Sequence, residues 1–363
     1  MQYKRDALDA AKGILILCIV IGHNSVLLNA YPWIDQFFYN WHVYGFFLIS
    51  MMLPFNSTRQ NFLIDRLTRY LVPFLVFLFV AYVVHQIATH GQNFPRSLLL
   101  MPVAAITGSA DLLDSTSGAR LFWFLPTLAG LTFIRYVIYR SNRFHKPLMY
   151  FVSITGFLFI GLIPRELANF FPLGLPIALY LLLPGLMFRY VMSKFRGIGG
   201  FWVGLGCALF VFIAMNYVAA ASGTALTLAS FEFYDITAPL ALVNHAVLAI
   251  SACCIVVFAA SLAPRVPVLA WLGRESLFIY LIHQFAFIAF RGVMTTLLPD
   301  FVHMHRVLAG ILLLVVTLAA SSLVALAITQ QQWLKELVAP NGWNEWKVAV
   351  WRLAKRDRIW SGG

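Results

Sequence analysis

Residues 306–329 read RVLAGILLLVVTLAASSLVALAIT, an apolar run whose one ionisable side chain is Arg306 at its first position. About 20 apolar residues let an α-helix cross the hydrocarbon core of a bilayer. The run is continuous, without the alternation of a membrane-barrel strand, so it reads as a helix. Nine further windows share this character, at roughly 8–29, 34–54, 70–89, 121–140, 148–164, 171–192, 200–221, 238–261 and 267–290. Together they predict an all-α polytopic membrane protein of about ten transmembrane helices.

Composition points the same way. The 363 residues are 61% hydrophobic and 11% charged, where a soluble domain carries about 25% charge. Mean hydropathy is +0.81. A soluble enzyme, a disordered chain and a disulfide scaffold are excluded. The four cysteines, Cys18, Cys207, Cys253 and Cys254, lie inside apolar runs without metal-ligand spacing and read as packing residues. No signal peptide is read at the start; the first apolar run is long enough to stay as a span.

The net charge of +12 would suggest nucleic acid in a soluble protein. Here the cations sit in short loops between apolar runs. With the N-terminus cytoplasmic, Arg96, Arg120, Arg165, Arg291 and Arg306 fall outside, and the other 21 of the 26 Lys and Arg residues fall inside. That asymmetry places both termini in the cytoplasm and leaves no role for nucleic acid. The expected organisation is a single transmembrane domain over 1–330 and a basic amphipathic cytoplasmic tail over 331–363, whose Trp residues interleave with Lys and Arg to lie against membrane lipids. Two stretches, 90–120 and 222–237 (the latter carrying Glu232 and Asp235), read as outer loops.

Ionisable groups inside spans are costly and default to functional candidates. Lys12 and His23 share the first span. Eleven positions at about 100° each return the two side chains to within about 20° of one face, about 16 Å apart along the axis. Lys12 alone also fits a side chain snorkelling to the interface. His42 and His283 fall at a depth similar to His23 in their own spans, which suggests a shared polar chamber in the outer half of the membrane. Each alone also fits a hydrogen-bonded structural histidine. No carboxylate adjoins them in sequence to orient the rings, so no metal is expected. Arg120 and Trp123, one turn apart at the start of the fourth span, fit either an interfacial anchor or a chamber mouth where the indole stacks on a sugar. Arg66 and Arg69, one turn apart before the third span, are ordinary inside charges singly and a phosphate site jointly with Lys12.

Five segments in order resemble acyltransferase family 3, the integral membrane acyltransferases. DAAKGILILCIVIGHN (9–24) is similar to the family's opening helix with its Arg-x10-His pair, Lys12 standing at the Arg position and His23 at the His. FYNWHVYGFFLIS (38–50) resembles the second-helix motif, with Val-Tyr-Gly in place of a common Met-Pro pair and no Gly after Ser50. Arg66-x-x-Arg69-Tyr-Leu-Val-Pro73 is similar to the Arg-rich start of the third helix, Trp123-Phe-Leu-Pro126 to a Trp-Phe-Leu-Pro element, and LGRESLFIYLIH (272–283) to a late helix ending in Tyr-x-x-His.

The resemblance implies transfer of an acyl group, usually acetyl, from cytoplasmic acyl-CoA to a hydroxyl of an extracytoplasmic polysaccharide, in a bacterial inner membrane. Exopolysaccharide and O-antigen are the sugars such members often modify. Lys12, Arg66 and Arg69 would hold the CoA phosphates. His23 would act as general base, with His42, Tyr280 and His283 orienting it or stabilising the oxyanion, and Arg120 and Trp123 meeting the acceptor. An acyl-histidine route competes with direct transfer. Partners would be acyl-CoA, the sugar acceptor, membrane lipids and polysaccharide-synthesis machinery. A glycan or lipid-linked sugar flippase is the alternative, with a non-catalytic synthase subunit third; no internal repeat favours a transporter.

Overall fold

The computed structural model describes residues 5–39, 41–53, 55, 61–91, 94–195, 198–222, 239–262 and 266–360. Lys4, Arg59, Arg196, Arg265, Glu232 and Asp235 lie outside them. Helix makes up 89%, with no strand among the described residues, which fixes the all-helical class.

The helices run in chain order as α1 (Arg5–Gly22), α2 (Ser25–Ala30), α3 (Pro32–Tyr39), α4 (His42–Met52), α5 (Phe62–Ala88), α6 (Phe94–Thr107), α7 (Ala110–Ser117), α8 (Phe124–Arg140), α9 (His145–Phe159), α10 (Arg165–Ala168), α11 (Leu175–Lys194), α12 (Ile198–Ser222), α13 (Pro239–Leu262), α14 (Pro267–Arg274), α15 (Ser276–Leu297), α16 (Pro299–Met304), α17 (Arg306–Gln330), α18 (Gln332–Val338) and α19 (Trp343–Trp360). Among the described residues, 7 helices are long and apolar enough to cross a membrane. They overlap the windows at 70–89, 121–140, 171–192, 200–221, 238–261, 267–290 and 306–329, of which 267–290 is divided at Glu275 into α14 and α15, the latter running on to Leu297.

The three remaining windows are helical but shorter, each for a local reason. In 8–29, Asn24 interrupts the run: its side-chain oxygen accepts the Leu27 N–H at 3.2 Å and starts α2 as a separate helix. The window at 34–54 is divided at Trp41, which has φ −149° and opens α4. The window at 148–164 carries α9, whose 15 residues end at Phe159. The stretch 90–120, read as a loop, holds α6 and α7. Ser109 caps α7 by accepting from Leu112 N–H at 3.4 Å, and Gly118 ends it at φ +63°, where glycine alone is unstrained.

The chain forms two compact units, one of residues 1–53 and 184–326, the other of 54–183 and 327–363. In the first, α1 is the hub and packs against α14, α13, α4 and α15. Its contact with α14 is backbone on backbone: a Cβ at Gly13 would lie 2.0 Å from the Leu269 carbonyl oxygen, and one at Gly273 would lie 1.6 Å from that of Asp9. Small residues permit this approach between membrane helices.

In the second unit, α5 packs on α8, and α18 and α19 return to α5. The Asp65 carboxylate on α5 accepts the Trp343 N–H at 3.1 Å, satisfying an orphan donor at the start of α19. Glu336 on α18 pairs with Arg352 on α19 at 3.2 Å. Asp65→Ala is therefore expected to loosen the tail by about 1 kcal/mol, read as faster tryptic cleavage after Lys347; cleavage at the wild-type rate would show that the cap contributes nothing.

Candidate active site

An imidazole, His23, directly follows the last turn of α1. His23 N–H still bonds the Ile19 carbonyl at 3.0 Å, so the ring leaves the helix just before the break at Asn24. His42 opens α4, and its ring centroid lies 5.9 Å from that of His23. His283 on α15 lies 5.3 Å from His23. His42 and His283 are fully buried, whereas His23 is half-buried.

Hydrogen bonds order the protons of this cluster. His283 Nδ1 faces two backbone carbonyls, Tyr280 at 2.6 Å and Ile279 at 3.2 Å. A carbonyl only accepts, so His283 Nδ1 carries the hydrogen, and in the neutral ring Nε2 holds the lone pair. That Nε2 lies 3.3 Å from His23 Nδ1, which therefore donates to it. The lone pair of the neutral His23 ring then falls on its own Nε2, the requirement for a proton acceptor. His42 Nδ1 bonds the Phe38 carbonyl in the same manner. Tyr280 shares the cluster, its ring 5.9 Å from His283. Among the described residues no three His, Cys, Asp or Glu side chains are grouped to hold a metal ion.

Lys12 lies on α1 in the same unit, and its ammonium pairs with Asp9 at 2.5 Å. The carboxylate is 8% exposed and the lysine side chain 25%. Removing one partner leaves the other charge uncompensated, at a cost of about 3–5 kcal/mol for a buried pair and less for this half-open one. Lys12→Met is accordingly expected to lower protein abundance, and adding Asp9→Asn to restore it. Wild-type abundance of the single Lys12→Met variant would show that the pair contributes nothing to stability.

The remaining sequence candidates belong to the second unit. Arg66 and Arg69 stand on the first turns of α5, the Arg66 guanidinium 5.5 Å from the Phe62 ring. Arg120 and Trp123 form a 3-10 turn that leads into α8. Arg120 is half-buried, and the Trp123 indole, 2% exposed, is packed inside the unit in this conformation.

Compared with known proteins, the chain matches the family model described as an acyltransferase domain, that of acyltransferase family 3, over residues 5–326. The chain belongs to acyltransferase family 3. It is a membrane acyltransferase, and its family region takes in every histidine of the cluster. No curated protein and no solved structure matches it.

Two features of this family member escaped the sequence reading. Asp9, an ordinary early-helix carboxylate by pattern, is the ion-pair partner of Lys12. His245, within the apolar window at 238–261, places Nδ1 2.9 Å from the Tyr44 hydroxyl, both side chains buried. An intramembrane histidine was the available signal, and the neighbouring Asn244 reinforced it.

Proposed function

We propose that this acyltransferase moves an acyl group, acetyl first among the candidates, from cytoplasmic acyl-CoA to a hydroxyl of an extracytoplasmic polysaccharide, with His23 as general base. The observation that carries this reading is the proton order of the imidazole cluster, which leaves the lone pair of the neutral His23 ring at its Nε2. In the step envisaged, the sugar oxygen attacks the thioester carbon while His23 takes the hydroxyl proton. The carbon–sulfur bond then breaks, and the proton passes to the departing CoA sulfur, so the enzyme returns unchanged. His283 fixes the His23 tautomer; His42 and Tyr280 flank the site where negative charge develops.

Assignment of the CoA phosphates to Lys12, Arg66 and Arg69 rests on charge and on the matched motifs. Assignment of the acceptor to Arg120 and Trp123 rests on the Trp-Phe-Leu-Pro element. Ten spans with both termini cytoplasmic, in a bacterial inner membrane, rest on the Lys and Arg asymmetry. The tail would lie on lipid, and polysaccharide-synthesis machinery would supply the acceptor.

The test supplies radiolabelled acetyl-CoA to one side of vesicles holding the full chain and polysaccharide to the other. Label is expected in the polysaccharide. Label that stays in CoA would reject the reading. A deletion strain that loses the polymer itself, and not its acylation, would favour the flippase.

A further inference from the structure

Beyond His23 along the chain, on the side away from Lys12, the first unit contains an open pocket of about 630 Å³. Its walls bring together Arg291 and Thr295 of α15, His303 of α16, Arg306 at the start of α17, and Ser25 and Asn29 of α2. None of the lining residues is acidic. Arg291 donates to the neutral Ser25 hydroxyl at 3.1 Å. Among the described residues no carboxylate pairs with either arginine; the adjacent Asp300 is exposed and does not line the pocket.

Two observations argue against incidental charge. The positive-inside bias keeps arginine away from the outer side, yet two of the five expected there converge on this one hollow. The floor is also built: Phe287, Met294, Ala309 and Leu313 form a buried apolar cluster against which Val26, Phe290, Phe301 and Val302 pack. Two guanidiniums, an imidazole, two hydroxyls and an amide over such a floor fit a ligand that is both anionic and rich in hydroxyls. Arg291 lies eight residues along α15 from His283, about 12 Å of axial rise, roughly two sugar rings from the imidazoles.

We infer that this pocket holds an acidic sugar of the acceptor, a uronate or similarly carboxylated residue, so that the enzyme acts on anionic polysaccharide. The inference rests on the acyltransferase reading for the word acceptor, and on the pocket alone for the acid.

Binding tests it without catalysis. The full chain in phosphatidylcholine nanodiscs, without acyl-CoA, is titrated with a galacturonate trimer and with a neutral galactose trimer. The acidic trimer is expected to bind about tenfold tighter and to weaken as salt is raised. Arg291→Gln and Arg306→Gln are each expected to weaken it about tenfold with unchanged melting temperature, and Arg291→Lys to recover part of the loss. Equal affinity for the two trimers, or wild-type affinity in both Gln variants, would overturn the inference. So would a phosphatidylglycerol headgroup that is retained through both arginines and is not displaced by galacturonate. Transfer to neutral glycans as fast as to acidic ones would overturn it and leave the acyltransferase reading intact. Binding of the acidic trimer through both arginines without transfer to any glycan would uphold the pocket and remove the reading beneath it.

Discussion

Replacing His23 with alanine is expected to slow acyl transfer by a factor of about 10²–10⁴, the usual contribution of a positioned acid or base. The amount of protein in the membrane is expected to change little, because His23 is half-buried and its bond to His283 lies at a helix end. His283→Ala is expected to fall between that variant and wild type: the base remains, but its Nδ1 loses the acceptor that fixes the tautomer. The measurement is initial rate with saturating acetyl-CoA and polysaccharide, on equal amounts of purified full chain. A His23→Ala rate within twofold of wild type would remove the histidine from the chemistry. Labelled His23 formed from acetyl-CoA without acceptor would replace direct transfer by a covalent route.

Gly273→Ala is the second change expected to have a large effect, through the fold. The new methyl would sit 1.6 Å from the Asp9 carbonyl oxygen and 2.9 Å from the Gly13 nitrogen. Both belong to helix backbone, which cannot swing aside as a side-chain tip does, so α1 must move away from α14. Overpacking typically costs about 1–3 kcal/mol and occasionally more; a clash with rigid backbone belongs at the upper end. Since α1 carries Asp9 and Lys12 and leads directly into His23, activity should fall with stability. The check is the monodisperse fraction and melting temperature in detergent. Gly206→Ala and Gly292→Ala, where a Cβ meets nothing within 4 Å, serve as silent controls. A Gly273→Ala protein that melts with the controls would contradict the close packing of α1 on α14.

These expectations depend on features of unequal visibility in the sequence. Hydropathy found a window over each of the seven long apolar helices, because burying some 20 apolar residues in lipid outweighs local propensity, but it ran α14 and α15 together. It missed the break after His23, since one asparagine scarcely changes a window average while its side chain can replace a backbone partner and start a new helix. It passed over α6 because 14 residues are too few to span, and α7 because its signals are caps at Ser109 and Gly118, not apolar period. The helical angle set Lys12 and His23 on one face, whereas α1 ends at Gly22, one residue before His23; it could not show Asp9 beside Lys12, since two opposite charges three positions apart are ordinary at a helix start. The meeting of His23, His42 and His283 was inferred from similar depth. Their proton order, and the convergence of Arg291 with Arg306, needed coordinates, because no spacing within one helix encodes which carbonyl or which neighbour a ring will face.

Asn24 does more than begin α2. Its amide nitrogen donates to the Gly310 carbonyl at 2.7 Å, fully buried, and so rivets α2 to α17. Both helices contribute to the lining of the arginine-lined hollow, Ser25 and Asn29 from one, Arg306 from the other. Prising them apart would strand a buried amide at about 1–3 kcal/mol. That buried bond thus ties the lining of the hollow to the segment that directly follows His23, so a change at Asn24 would be felt at both places.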